Sequence, residues 1–316
     1  MNDVAVLGAG AWGTALAIQA ARAGRSVVLW ARDPARFSTR ENPRLPGFFL
    51  PEAIVVTGEL PTAALVLLAV PLQQMRAVAL RLPAGGPLVV CAKGVESGTH
   101  LLPLEVLAAT APGRSAAVLT GPNFAHEVAA GLPAATVAAA SEAAVREAVA
   151  AALGTPSFRI YGNDDPVGAQ VGGAAKNVVA IAAGAVIGAG LGENARAALV
   201  TRGLAELARL AVALGGRADT VAGLSGLGDL MLTCAGTASR NFSLGFALGR
   251  GERLEDVLSR REAVTEGVAT APALVARAAE VGAELPVCAA VAGIVTGKLT
   301  LLQAIDQLLS RPRKDE

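Results

Sequence analysis

The chain has 316 residues, more than a single hydrophobic core usually serves, so two domains are expected. Its net charge is +1 with no block of like charge, which argues against nucleic-acid binding through a basic face. Two histidines and three widely spaced cysteines (Cys91, Cys234, Cys288) argue against a metal site or a Ser-His-Asp triad, and so few scattered thiols fit a reducing cytoplasm.

The first pattern is a strand, Val4-Ala5-Val6-Leu7, so no signal peptide is expected. Gly8-Ala9-Gly10-Ala11-Trp12-Gly13 follows at once. A helix pattern then runs from Thr14 to Ala23, stops at Gly24, and gives way to a second strand, Val27–Trp30. Strand, Gly-x-Gly-x-x-Gly, helix and strand within about 30 residues form a dinucleotide-binding fingerprint. Its glycines serve a tight turn, room for a pyrophosphate, and close helix–strand packing, while the first helical amides face the phosphates. The second strand ends in Arg32-Asp33. An acid there suits the ribose 2′-hydroxyl of NAD, and an Arg accommodates the 2′-phosphate of NADP. Arg32 comes first, which favours NADP or dual use, and Asp33 keeps NAD open.

Residues 34–53, rich in Pro, Arg and Phe, read as a loop. Strands are expected at 54–57 and 65–70, the second ended by Pro71, then a helix over 72–82 and a strand over 88–91. Lys93, in Ala92-Lys93-Gly94, leaves the carboxyl end of that strand, the edge at which open α/β sheets bind ligands. It is expected near the nicotinamide. A strand over 116–119 leads into Gly121-Pro122-Asn123, a turn, and then a short helix. His126, beside Glu127 on that helix, reads as a surface or capping residue. A strand over 135–139, a helix capped by Ser141 and running through Leu153, and a strand over 158–161 complete the alternation.

Asp164-Asp165-Pro166 then opens a helix with acidic residues and Pro in its first turn. Strands stop here. Helical patterns cover about 167–189, 194–214, 240–249, 267–281, 286–296 and 300–309. The expected architecture is an α/β, Rossmann-type dinucleotide-binding domain over 1–164, followed by an all-helical substrate-binding and catalytic domain over 165–316.

The helix around Lys176-Asn177 is the most informative stretch. It is built from small apolar residues, and core packing asks for neither polar side chain. Burial lowers the proton affinity of an amine, which makes a buried Lys a poor structural residue and a good proton donor or acceptor. The sequence has only four lysines among 27 Lys plus Arg, so a Lys kept in an apolar setting stands out. Mean hydropathy is high at +0.51. Yet the uncharged run over 178–192 falls short of the roughly 20 apolar residues a membrane span needs, so no span is expected. Asp229 lies in a nearly uncharged segment and needs a partner, for which Lys176 is the candidate. Ser239 can cap the helix that follows it, and Arg240 with the first-turn amides would make an anion site.

Together these residues resemble the bacterial-type NAD(P)-dependent glycerol-3-phosphate dehydrogenase family over nearly the whole chain. The motifs are Gly8 to Ala17, Ala92-Lys93-Gly94, Gly121-Pro122-Asn123-Phe124-Ala125, Lys176-Asn177-Val178, Gly226-Leu227-Gly228-Asp229-Leu230 with Thr233-Cys234, Ser239-Arg240-Asn241, and Val264-Thr265-Glu266-Gly267. Asn123 departs from the Ser or Thr common at that position. The resemblance implies reversible reduction of dihydroxyacetone phosphate to sn-glycerol 3-phosphate, which supplies the glycerol backbone of phospholipids, in a cytoplasmic enzyme. It implies Lys176 as general acid and base. Substrate contacts are implied from Lys93, Gly121, Asn123, Lys176, Asn177, Asp229, Ser239, Arg240 and Asn241. Cofactor contacts are implied from Gly8, Gly10, Ala11, Trp12, Gly13, Arg32, Lys93, Ala125, Arg240, Val264 and Glu266. A homodimer is expected from a helical domain with apolar faces. Two other readings share parts of the pattern: a hydroxy-acid dehydrogenase, which would not need Ser239-Arg240-Asn241, and a non-catalytic nicotinamide sensor, which gives Lys176 no task.

Overall fold

The computed structural model describes residues 2–261 and 265–312. Two compact units are present, one formed by residues 1–93 and 102–170 and the other by residues 94–101 and 171–316.

The first unit is a sheet with helices. Its strands are β1 (Asn2–Leu7), β2 (Val27–Trp30), β3 (Ile54–Thr57), β4 (Ala63–Leu68), β5 (Leu88–Val90), β6 (Ala116–Thr120), β7 (Ala134–Ala139) and β8 (Phe158–Asn163), in the order β3-β2-β1-β4-β5-β6-β7-β8. β2 and β4 flank β1 on opposite sides, so the chain reverses its direction of travel across the sheet at β1, the topological switch point where open α/β sheets bind ligands. All pairs are parallel except β6 with β7. The central strands are continuous apolar runs because both faces are covered; Val4 to Leu7 are buried throughout. Helices α1 (Ala11–Arg22), α2 (Leu72–Ala79), α3 (Pro103–Thr110), α4 (Ala125–Ala130) and α5 (Ala143–Leu153) belong to this unit. The sequence patterns gave no sign of α3. Ser141 does not cap α5: the helix begins at Ala143, Glu142 occupies the cap position, and no side chain bonds there.

The second unit is helical. It takes α6 (Pro166–Gly188) from Val171 onward, then α7 (Gly192–Ala213), α8 (Ala218–Ala222), a π-helical turn (Leu224–Gly228), α9 (Asp229–Cys234), α10 (Arg240–Gly249), α11 (Leu254–Ser259), α12 (Glu266–Glu280), α13 (Pro286–Val295) and α14 (Leu301–Leu309). Asp165 caps α6 by accepting the Gly168 N–H at 2.8 Å. α6 is long and apolar enough to cross a membrane, but 83% of its most apolar stretch is buried within the protein, as in a core helix.

Glycines set the closest helix contacts in this unit. A Cβ on Gly245 of α10 would lie 1.8 Å from the Ile181 carbonyl oxygen, and one on Gly184 of α6 would lie 2.0 Å from that of Phe242. The two backbones therefore touch with no side chain between them. A third approach brings Gly172 of α6 against Ser225 of the π-helical turn, where a Cβ would sit 2.6 Å from the Ser225 carbonyl oxygen. One helical turn further along both segments lie Lys176 and Asp229.

Candidate functional site

In the first unit, β1 runs into Gly8, whose φ of +111° only glycine holds without strain. A Cβ there would also meet the Ala69 backbone at 2.8 Å. Gly13, in the first turn of α1, packs so closely that a Cβ would lie 1.9 Å from the Gly8 carbonyl oxygen. Protein packing thus accounts for both residues. Gly10 differs: a Cβ there would meet none of the described residues within 4 Å. It stands at the cap position of α1 with no side-chain bond to the first-turn amides. The open space before Ala11, Trp12 and Gly13 is a cradle that a side chain would fill, and with the helix end it fits a dinucleotide pyrophosphate.

Other predicted residues of this unit lie along the carboxyl edge of the sheet. Arg32 is exposed just after β2. Lys93, half-buried after β5, donates from Nζ to the Gly121 carbonyl oxygen at 3.3 Å. Asn123 donates from Nδ2 to the Ala135 carbonyl oxygen at 3.4 Å. Among the described residues its Oδ1 is buried without a partner, and so is Thr120 Oγ1 at the end of β6. Buried acceptors left unsatisfied are costly, and a bound ligand or water would relieve them. Ala125 opens α4, and His126 beside it is exposed.

In the second unit, the Lys176 side chain is 9% exposed and that of Asp229 is 0% exposed. Lys176 Nζ donates to Asp229 Oδ1 in a charge-assisted hydrogen bond. It also donates to Thr233 Oγ1 at 2.9 Å. Thr233 in turn donates to the Asp229 carbonyl oxygen at 2.6 Å, one turn back along α9. Thr233 sits in the motif that carries the resemblance, but the motif by itself does not show its direct bond to Lys176. Its signal was the i, i+4 spacing from Asp229, which puts both side chains on one helical face. The neighbouring thiol of Cys234 is pushed up to about 12 by burial, so it stays protonated at neutral pH and is no nucleophile.

The next residue on α6 makes a second polar cluster. Asn241 Nδ2 donates to Asn177 Oδ1 at 2.9 Å, and Asn241 Oδ1 accepts the Gly267 N–H at 3.1 Å. Three helices, α6, α10 and α12, meet in that chain of bonds. Among the described residues nothing pairs with the Asn177 amide nitrogen, so its N–H groups remain available. Ser239 caps α10 by accepting the Phe242 N–H at 3.3 Å. Arg240, the first residue of α10, is exposed, and its carbonyl accepts from Arg261 Nη1 at 2.7 Å. Glu266 begins α12. Val264 lies outside the described residues.

Comparison with known proteins covers both units of the chain. A family model described as the N-terminus of NAD-dependent glycerol-3-phosphate dehydrogenase matches residues 3–146, and its C-terminal counterpart matches residues 165–306. A glycerol-3-phosphate dehydrogenase (NAD(P)+) of Acidiphilium cryptum is 56% identical over 319 residues, covering 99% of this chain and 98% of its own. One from Gluconobacter oxydans is 52% identical, covering 98% and 97%. The crystal structure of glycerol-3-phosphate dehydrogenase from Coxiella burnetii superposes with a TM-score of 0.93 at 36% identity, over 98% of this chain and 99% of that one. Both units fall within these matches, the glycine cradle in one and the Lys176 cluster in the other, and the chain therefore belongs to the NAD-dependent glycerol-3-phosphate dehydrogenase family.

Proposed function

We infer that this protein is an oxidoreductase that reversibly reduces dihydroxyacetone phosphate to sn-glycerol 3-phosphate with NADH or NADPH. The observation that carries the reading is the buried ammonium of Lys176, held by Asp229 and Thr233 beside the open amide of Asn177. A nicotinamide cofactor, when bound, would supply hydride for the carbonyl carbon and would accept it in the reverse direction. As that carbon is reduced, negative charge grows on its oxygen, and Lys176 delivers a proton there. In oxidation the neutral amine takes the proton back. Positioned proton transfer of this kind is worth about 10²–10⁴-fold in rate. Asp229 and Thr233 fix the ammonium so that little reorganisation is needed when charge develops.

The other residues divide by chemistry. Arg240, Asn241 and the α10 amides, with Ser239 setting the cap, suit the substrate phosphate. Binding a phosphate remote from the reacting carbon supplies positioning energy for the chemical step. Asn177, Lys93, Gly121 and Asn123 are assigned to the substrate's oxygens, with Lys93 also serving the cofactor. Gly10, Ala11 and Trp12 are assigned to the pyrophosphate, with Gly8 and Gly13 serving it through the close packing that shapes the turn, and Arg32, Ala125, Arg240, Val264 and Glu266 to other parts of the cofactor. The buried free thiols support a cytoplasmic setting. Leu302 and Leu309, 75% and 79% exposed and seven residues apart on one face of α14, support a homodimer, which sedimentation would test.

The test is oxidation of NADPH, and separately NADH, by the purified protein with dihydroxyacetone phosphate, beside Lys176→Ala. Turnover is expected in the wild type and a loss of at least about 10²-fold in a folded variant that still binds cofactor. Absence of turnover with either cofactor would remove the reading. Turnover that survives Lys176→Ala would keep the function and move the proton donor, with Lys93 the next residue to substitute.

A further inference from the structure

The residues that hold Lys176 sit on a weak element. Asp229 and Thr233 belong to α9, six residues that continue the π-helical turn into one short helical stretch, Leu224–Cys234, below the roughly 12–15 residues at which a helix begins to hold by itself. Helix nucleation is unfavourable and a helix this short does not support itself, so its register depends on contacts made from outside. At its start the π-helical turn packs against α6 at Gly172. At its end the last carbonyls have no partner further along the helix and need one from elsewhere.

Arg196 on α7 provides it. Its Nη1 donates to the carbonyl oxygen of Cys234, the last residue of α9, at 2.8 Å. The opposite side of the guanidinium is fixed by Glu193, which accepts from Nε and Nη2 at 2.6 Å each. The Arg196 side chain is 29% exposed, so this bond is partly shielded from competing water. A cation at the carboxyl end of a helix also complements its dipole. The bonded carbonyl belongs to the residue directly after Thr233, so any movement of this helix end moves the Thr233 hydroxyl and, through it, the Asp229–Lys176 contact.

We propose that Arg196 is a positioning residue for the proton-transfer step, its hydrogen bond to the Cys234 carbonyl holding α9 in the register that keeps Asp229 and Thr233 on the Lys176 ammonium. This rests on the dehydrogenase reading for its kinetic consequence and on geometry alone for its structural one. Arg196 touches no reacting atom; it acts through α9.

The experiment compares wild type, Arg196→Met, which keeps much of the apolar stem and removes the donors, and Arg196→Lys, which restores a charge and a donor. Steady-state turnover of dihydroxyacetone phosphate with NADPH is measured together with amide hydrogen exchange across residues 229–235. Arg196→Met is expected to lower kcat by about tenfold or more, since misplacement of about 1 Å can cost 10²-fold. NADPH affinity should stay within about twofold, and exchange in α9 should speed up. Arg196→Lys should recover a large part of both losses. Wild-type kcat together with wild-type exchange in Arg196→Met would overturn the proposal, and so would a kcat loss with α9 exchange unchanged. Should Arg196→Met not fold, Glu193→Gln, which releases the other side of the guanidinium, carries the same comparison with a smaller expected effect. A wild-type protein without turnover, but with α9 exchange that responds to Arg196→Met, would sink the activity reading and leave the contact's structural role standing.

Discussion

Asp33 follows Arg32 at the end of β2, and its carboxylate is engaged by a neighbour: Arg36 Nε donates to Asp33 Oδ2 at 3.2 Å. Both side chains are more than half exposed, so the pair adds little to stability, but it turns the acid toward a cation. A carboxylate so occupied is a poor acceptor for ribose hydroxyls, and two guanidiniums beside it suit a 2′-phosphate. The expected outcome is a preference for NADPH over NADH in kcat/KM of about tenfold or more, the scale of a hydrogen bond to a charged group. Arg32→Ala should narrow that ratio through NADPH alone. Asp33→Asn should leave NADH kinetics within about twofold; a large loss there would show that Asp33 reads the ribose after all. Arg32 and Asp33 were both legible in the sequence as a fork between cofactors. The ion pair with Arg36 was not, because it depends on the turn of chain after β2 rather than on residue type.

Among the elements, α6 and α10 show how glycines of different purpose can be told apart. A Cβ on Gly245 would come within 1.8 Å of the Ile181 carbonyl oxygen, which is backbone and cannot rotate away. Gly245→Ala must therefore push α10 off α6 and loosen Asn241 from Asn177. Destabilisation at or above the upper end of the overpacking range, about 3 kcal/mol, is expected in denaturant melts. Gly10→Ala should disturb the melt far less and weaken NADPH binding, because a Cβ there meets no described protein atom within 4 Å and projects into the space assigned to the pyrophosphate. A different tie joins α7 to α13. Glu206, 2% exposed, accepts the Val287 N–H at 2.7 Å and the Cys288 N–H at 3.2 Å, capping a helix whose first residue, Pro286, has no N–H to offer. Burial raises the Glu206 carboxyl above its usual range, against the two N–H bonds and Arg209, which pull it down. Between the ordinary value and the raised one, the folded protein keeps a proton that the unfolded chain has released. The contribution of Glu206 is therefore fully present below the ordinary carboxylate range and falls as pH rises through the raised value. Thermal melts over a pH series should show that decline in the wild type and a flatter curve in Glu206→Gln, which has lost about 1 kcal/mol at low pH because one of its two acceptors is now a donor. Parallel curves would assign the dependence to other groups.

Over the whole molecule, legibility followed the clarity of the apolar pattern. Strands β1, β2, β4 and β5 were readable because strands buried on both faces are continuous apolar runs, and α6 was readable because 23 residues outlast any local ambiguity. The antiparallel pairing of β6 with β7 was not readable, since register is set by partners distant in sequence. Neither were α9 and its π-helical turn, which are too short for a helical period to show. Lys176 and Asp229 could be nominated by the cost of burying each charge alone, whereas Arg196 looks like any surface arginine until Cys234 is seen beneath it. Each unit carries its own set of candidate ligand contacts, and linkage makes that testable. A ligand that binds only folded protein stabilises it by about 2.7 kcal/mol at 100 times its dissociation constant. NADPH alone should slow hydrogen exchange at the β1–α1 turn, residues 8–14, and glycerol 3-phosphate alone should slow it at the start of α10, residues 239–243. If NADPH leaves the turn unprotected while raising the melting temperature, the glycine cradle is not where the pyrophosphate binds. If glycerol 3-phosphate protects α9 without α10, the phosphate belongs elsewhere and only the Lys176 cluster holds the substrate.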